Sequence, residues 1–443
     1  MNFAITWQWL SSIHESAEVR ETGAKLKLAI GPKVLTQNVD EWSKTVSDDV
    51  RLSAYPLALW FASNWWRLRW EPLPNGTPDV SWRMAHEIAA AGYGYIWPQV
   101  LLASDGEAIH VWAAASPEGK PGPIKYLSSA HEVLIADEFE RVLDDFFGGV
   151  IARLEAVGIS HSPLHDLLAE LSEERANQEL TVYRRLEAIA GFDAGEGPAS
   201  VLDQLERLVP QAGLNAAQEV ATLCVSQDVG TLLESAVRTA NGVGLNANPS
   251  IVVDEVAQAF CSQRAPAWVR GKELASHLRR KLGLNGGPIS DTALHDALGV
   301  KKTDLVEASA HSRPPFGLAV RKAPRQLTLH LRKRGNESVR FELARFLCDQ
   351  MFAAADDRWL PLTDAKTSRQ KAQRAFAAEF LCPIESLIQH LGSDFSDDAM
   401  DDAAHHFQVS PLAIQTQLVN NEFLSRSALP DFNGGIAFPY AVR

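Results

Sequence analysis

The chain is poor in cysteine. Its 443 residues hold four, Cys224, Cys261, Cys348 and Cys382, with no C-x-x-C spacing. That argues against a disulfide framework and a cysteine-rich zinc site, and makes reduced thiols the default. No apolar run reaches the roughly 18 residues a membrane span needs. The stretch Met1–Leu10 has neither a basic region nor a signal-peptide core. The expectation is a cytoplasmic protein with no membrane partner. Positive charge is also in deficit, with 42 Lys+Arg against 55 Asp+Glu and a net charge of -13. A protein that coats nucleic acid over its whole surface is therefore not expected. Phosphate-loop and G-x-S-x-G patterns are missing, which removes two common enzyme signatures. The rest is ordinary for a globular protein, at 46% apolar and 22% charged, and the length suggests two to four domains.

Tryptophan divides what is present. Ten of twelve lie before residue 113, and only Trp268 and Trp359 come later. This predicts a Trp-rich mixed α/β domain over residues 1–150. Strands are expected at Leu26–Ile30, Tyr95–Leu102 and Ile109–Ala114, the last two joined through Ser104-Asp105-Gly106. Helices are expected from Pro56 through Trp66 and, after the breaker Pro121-Gly122-Pro123, from Ala136 into Leu154. Residues 151–262 read as an acidic helical segment: Leu164, Leu167, Leu168 and Leu171 keep helical spacing, as do Leu202, Leu205 and Leu208. Over 151–265 there are 7 Lys+Arg against 16 Asp+Glu. Over 266–340 the sign reverses, to 15 Lys+Arg against 6 Asp+Glu, with bursts at Arg279-Arg280-Lys281, Lys301-Lys302 and Arg332-Lys333-Arg334. A strand is expected at Gln326–Leu331 and a helix at Val339–Phe352. Asp394–Asp402 reads as an acidic loop and helix start. The tail from Pro430, with Gly434-Gly435 and Pro439, reads as irregular. The overall class expected is α+β, predominantly helical.

Zinc peptidases carry two histidines at i and i+4 on a helix, with a glutamate beside the first to activate the bound water. His14-Glu15, His86-Glu87 and His131-Glu132 start that pattern. The fourth positions on are Glu18, Ala90 and Ile135, so none completes it. His405-His406 are adjacent and point about 100° apart on a helix. His161 and His165 have the spacing but are separated by Pro163, which suits a helix start. Gly283-Leu284-Asn285-Gly286-Gly287 reads as a helix C-cap and turn. Asn64-Trp65-Trp66-Arg67-Leu68-Arg69-Trp70 interleaves aromatics with arginine. It suits stacking of single-stranded bases, or a core segment whose arginines snorkel out.

Three C-terminal stretches share one resemblance. Val339-Arg340-Phe341-Glu342-Leu343-Ala344-Arg345-Phe346-Leu347-Cys348-Asp349 is similar to the active-site helix of the ImmA/IrrE metallo-endopeptidases, R-F-[ST]-x-A-H-E-x-[GA]-H. Ala375-Phe376-Ala377-Ala378-Glu379-Phe380-Leu381-Cys382-Pro383 resembles their F-A-A-E-L-L-M-P signature. His406-Phe407-Gln408-Val409-Ser410-Pro411-Leu412-Ala413-Ile414 resembles their closing helix. Upstream, Trp268–Leu284 matches the approach helix, and a strand near Leu327–Leu331 leads into the active-site helix. The resemblance implies a zincin-like domain over 263–443.

The matching positions have lost the chemistry. The first zinc histidine falls on Arg345, the catalytic glutamate on Phe346 and the second histidine on Asp349; the third ligand falls near Gln370. Phe346 takes no proton from water, and only Asp349 retains a metal-ligating group. An Arg345–Asp349 pair at i, i+4 is the expected replacement for the ion. The resemblance thus implies a pseudo-metallopeptidase without cofactor: a regulatory, sensor or scaffold protein holding a protein partner, in a stress-response, mobile-element or phage-defence setting. Two alternatives accompany it. One is an active zinc endopeptidase with an unconventional ligand set, Asp349 with His330, His390, His405 or Glu379. The other is nucleic-acid binding through 266–340, with Arg279, Arg280, Lys281, Arg332, Lys333 and Arg334 as contacts, unless those cations match the acidic middle segment instead.

Overall fold

The computed structural model describes residues 3–119, 122–224, 229–250, 255–262, 265–308 and 313–425. Helix accounts for 51% and strand for 17%, with several small antiparallel sheets, so the fold is mixed and mainly helical. Pro121 and the tail from Pro430 lie outside the described residues. Among the described residues no helix is long and apolar enough to cross a membrane. The chain divides into two compact units, meeting in sequence at Pro198 and Ala199.

The first unit is built around the Trp-rich sequence. Phe3–Trp9 pairs antiparallel with Gly23–Ile30, which also carries Lys33–Val34 and Val50–Ser53. A second sheet has the order Ala130–Ile135, Ala108–Ala114, Gln99–Ser104. Asp105 makes the expected turn, accepting from the N–H groups of Glu107 and Ala108 at 3.1 and 2.8 Å. The first of the two paired strands begins only at Gln99, four residues after Tyr95, because Trp97 is held in the preceding loop by the Gly92 carbonyl (2.9 Å). Helix Ala136–Ala156 buries Phe139, Val142, Leu143, Phe146, Val150 and Leu154, one apolar stripe at helical spacing. The expected helix from Pro56 is two: Ala54–Ser63 stops where Asn64 turns its side chain back to the Trp60 carbonyl, and Trp65–Trp70 follows.

The acidic stretch 151–262 is shared between the units. Leu164, Leu171 and Ala188, from helices Pro163–Ala176 and Gln178–Ile189, belong to the core of the first. Helix Ala199–Ala212 and everything after it belong to the second. The expected single middle segment is thus divided, because its leucine stripes bury against different sheets and helices.

The second unit has one four-stranded antiparallel sheet in the order Leu245–Ala247, Gln326–His330, Gly317–Ala323, Trp359–Leu362. Helix Asn336–Phe352 is its centre. Leu343, Ala344, Phe346 and Leu347 are fully buried, as are the polar Arg340 and Asp349, so it has no solvent face to speak of in that stretch. Helix Ala267–Lys281 crosses Ser368–Leu381 at close range: a Cβ on Gly271 would stand 2.3 Å from the Ala372 carbonyl oxygen. The end of helix Ala199–Ala212 is fastened beside the edge strand by the Arg358 N–H, which bonds the Ala212 carbonyl at 2.8 Å. Gly213 follows with φ +95°, and the chain turns into helix Leu214–Ala221.

Candidate functional site

Helix Asn336–Phe352 brings Arg345, Phe346 and Asp349 to one side, opposite the first turns of helix Ser368–Leu381, which supplies Gln370. Arg345 meets Gln370 directly, Arg369 beside Gln370 reaches Asp349, and Phe346 belongs to the apolar core. Arg345 Nη2 donates to the Thr363 carbonyl at 2.8 Å, to Gln373 Oε1 at 3.1 Å and to Gln370 Oε1. Its Nε has no hydrogen-bond partner. Burial pushes the guanidinium below its ordinary pKa, against the pull of Asp364, Glu342 and Asp349. Phe346 is sealed in the apolar core with Leu343, Leu347 and Phe376.

The expected Arg345–Asp349 pair is corrected. Asp349 pairs with Arg369 instead, in a fork of 2.8 and 2.9 Å to Nε and Nη2. Arg369 spends its remaining nitrogen on Asp357 Oδ2 at 2.9 Å. Burial opposes the charge on Arg369, but Asp349 and Asp357 outweigh it and hold the pKa above its ordinary value. The geometric reason is direction: the fork of Arg369 meets both carboxylate oxygens at once, which favours it over a partner on the same helix.

Glu219 completes the network from helix Leu214–Ala221. Its Oε2 accepts from Thr367 Oγ1 and from Gln370 Nε2, both at 2.9 Å. Burial raises its pKa despite Arg369, Thr367 and Gln370. Gln370 also donates to the Pro361 carbonyl at 2.9 Å and accepts from the Thr363 N–H at 3.0 Å, so its amide is saturated. Glu219, Arg369, Gln373 and Asp357 were not singled out from the sequence. The one available signal was that Arg369 adjoins Gln370 on the same turn.

These residues do not fit a zinc ion. Arg345 offers a guanidinium, Gln370 an amide and Phe346 a ring, and Asp349, the one carboxylate of the four, is engaged by Arg369. The alternative ligands are not assembled either. Glu379 accepts from the Ile384 N–H and from Gln417 Nε2, both at 3.2 Å, capping helix Ile384–Leu391. His390 bonds Asp402 at 3.0 Å and stacks on His406 at 4.6 Å. His405 is exposed on the neighbouring helix. His330 is buried with its Nε2 unpartnered, and burial followed by Lys322 pushes its pKa down to about 4. Among the described residues no group of three or more His, Cys, Asp or Glu is placed to hold a metal. The thiols are no nucleophiles by environment: burial pushes Cys224 up to about 12 and Cys261 up to about 11.

The basic stretch is partly spent on its own unit. Arg279 is buried, donating to the carbonyls of Phe380 and Gly287, both at 2.6 Å, and of Asn285. Arg332 pairs with Asp364 at 2.9 Å, and Arg340 ties the carbonyls of Ile289 (2.6 Å) and Gln408 (3.2 Å). Arg280, Lys333 and Arg334 are exposed, and Lys281 ends helix Ala267–Lys281. The pairings described for Arg332 and Arg340 run to Asp364 and Asp291, outside the acidic 151–262 segment.

The Trp-Arg segment of the first unit is a core segment, as one of its two readings expected, but its arginines differ. Trp65, Trp66 and Leu68 are in the core, which removes their faces from base stacking. The arginines do not snorkel: Arg67 is held by Glu71 (2.6 Å) and Asp193 (2.8 Å), and Arg69 by Glu140. His86 is likewise internal, between Glu71 (2.9 Å), the Leu102 carbonyl (2.8 Å) and the stacked ring of Trp82. His165 starts its helix through Ser162 as expected.

Comparison of the chain with family models, curated proteins and solved structures gives no match.

Proposed function

We propose that the second unit contains a degenerate ImmA/IrrE-like domain that holds a protein partner without cutting it. One observation carries the reading. The position of the first metal ligand is a buried arginine, Arg345, and the second, Asp349, is closed by the fork of Arg369. Such a cluster is a structural link: it joins helices Leu214–Ala221, Asn336–Phe352 and Ser368–Leu381 and presents no base to a water. The likeness of the three C-terminal motifs supports the family, and the packing of Phe346 supports the loss of chemistry. The setting of such a protein, in stress response, mobile-element control or phage defence, rests on the resemblance alone.

The test is metal content by elemental mass spectrometry, before and after incubation with excess zinc and desalting. The expected result is no stoichiometric metal in either sample, and no cleavage of an unstructured protein such as casein. Zinc near one per chain that survives desalting, lost in Asp349→Ala, would overturn the reading.

A further inference from the structure

Three arginines converge on the four-residue loop Thr363-Asp364-Ala365-Lys366. Arg345 bonds the Thr363 carbonyl from below at 2.8 Å. Arg332 bonds Asp364 at 2.9 Å, and Arg374 Nη2 bonds the Ala365 carbonyl at 2.9 Å. Lys366 is the fourth residue of the loop, and exposed Lys333 and Arg334 follow Arg332. Glu342 turns inward, accepting the backbone N–H groups of Arg332 and Lys333, both at 3.0 Å, so it spends its charge beneath the loop. Asp364 is the exposed carboxylate among these cations.

We propose that this loop and the Arg332–Arg334 turn form a docking surface for an acidic peptide segment of the partner protein. The inference rests on the non-catalytic reading above and names what that site would recognise. Two observations favour a peptide carboxylate over a nucleic acid. The cations are gathered around one short loop rather than strung along a groove that could follow a backbone. The neighbouring first turn of helix Ser368–Leu381 already receives a carboxylate, that of Glu219, through Thr367 and Gln370. Neighbouring cations add to burial in this cluster. Burial, then Arg374 and Lys371, push the Lys366 amine down to about 8; burial and then Arg345 push Arg374 down to about 10.

The experiment uses the full chain and a fluorescein-labelled oligoglutamate peptide, read by fluorescence anisotropy at low salt. A single-stranded oligonucleotide of equal charge is the competitor class. Peptide integrity is read by mass spectrometry in the same samples. The expected result is saturable oligoglutamate binding that weakens with salt. Lys333→Glu/Lys366→Glu weakens it at least about tenfold, as a reversed rim charge does at an electrostatic interface. Arg280→Glu, near Arg279 at the far end of helix Ser368–Leu381, leaves it unchanged. Should Lys333→Glu/Lys366→Glu lose its circular dichroism signal, Lys333→Glu/Arg334→Glu, both exposed, gives the same reading. No binding, or binding indifferent to these reversals, overturns the proposal. An oligonucleotide bound as tightly and lost in the same variants overturns it in favour of a nucleic-acid surface. A cleaved peptide is a separate failure, that of the non-catalytic reading.

Discussion

Arg369 grips both carboxylate oxygens of Asp349, at 2.8 and 2.9 Å, in a place where Asp349 has no exposure to solvent. A buried pair of this kind adds little over a well-packed apolar pair, yet breaking it by removing one partner strands a charge. Asp349→Ala leaves Arg369 with Asp357 alone, and is expected to cost about 3–5 kcal/mol. Arg369→Ala is expected to cost a similar amount. The double variant should cost less than the sum, because the second deletion removes the charge that the first stranded. Urea denaturation of the four proteins closes the cycle. Additive losses would mean that the pair is not coupled.

Phe346 has no exposure to solvent, and the core around it decides what replacements do. Phe346→Leu keeps an apolar side chain in an apolar site and is expected to cost less than about 1.5 kcal/mol. Phe346→Ala opens a cavity and is expected to cost about 3–5 kcal/mol. Phe346→Glu buries a carboxylate in the core that holds Leu343, Leu347 and Phe376. It should be the least stable of the three by thermal denaturation. A Phe346→Glu protein as stable as Phe346→Leu would show that water reaches this position.

Arg345 tests the same site from its other end. Its Nη2 is the shared donor for the Thr363 carbonyl and the side-chain oxygens of Gln370 and Gln373. Arg345→Ala removes that donor and leaves acceptors buried, at about 1–3 kcal/mol for each one left unpaired. A melting temperature unchanged by Arg345→Ala would exclude the structural role.

What could be read from the sequence was local. The helix expected at Val339–Phe352, which starts three residues earlier at Asn336, the hairpin strand from Gln326 and the turn at Asp105 follow from spacing and turn chemistry within a dozen residues. The meeting of Arg345 with Gln370 was legible because the ordered motifs set both positions against one site. Their partners were not. Arg369 lies 20 residues from Asp349, and Glu219 lies 151 from Gln370. No periodicity links such positions; only the packing of helix Leu214–Ala221 on the edge strand does. The snorkelling expected of Arg67 and Arg69 failed for the same reason, since Asp193 and Glu140 arrive from far along the chain.

Glu219 makes stability depend on pH with a definite sign. Burial raises its folded pKa above the ordinary 4.5. Between those two values the folded state holds the proton more tightly than the unfolded one, so stability falls as pH rises through that window. Glu219→Gln removes the ionisation. Relative to wild type, the variant should gain stability as pH rises from 4.5 to 7.5. Chemical denaturation at the two pH values measures it; a difference that does not change with pH would mean that Glu219 keeps its ordinary pKa.

His330 tilts the other way. It is held neutral in the folded state, with a pKa of about 4 against an ordinary 6.5, by burial and then by Lys322. As pH falls from 6.5 towards 4, the unfolded chain takes up a proton that the folded one refuses, and stability is lost. His330→Leu abolishes that uptake. Its stability relative to wild type should therefore rise as pH falls through this window. Over the same interval that of Glu219→Gln should fall, since the wild-type carboxyl is then regaining its proton. Opposite slopes for the two variants, measured in one set of buffers, separate these buried groups from any general acid destabilisation, which would move both variants alike. Parallel slopes would show that neither group titrates as its surroundings dictate.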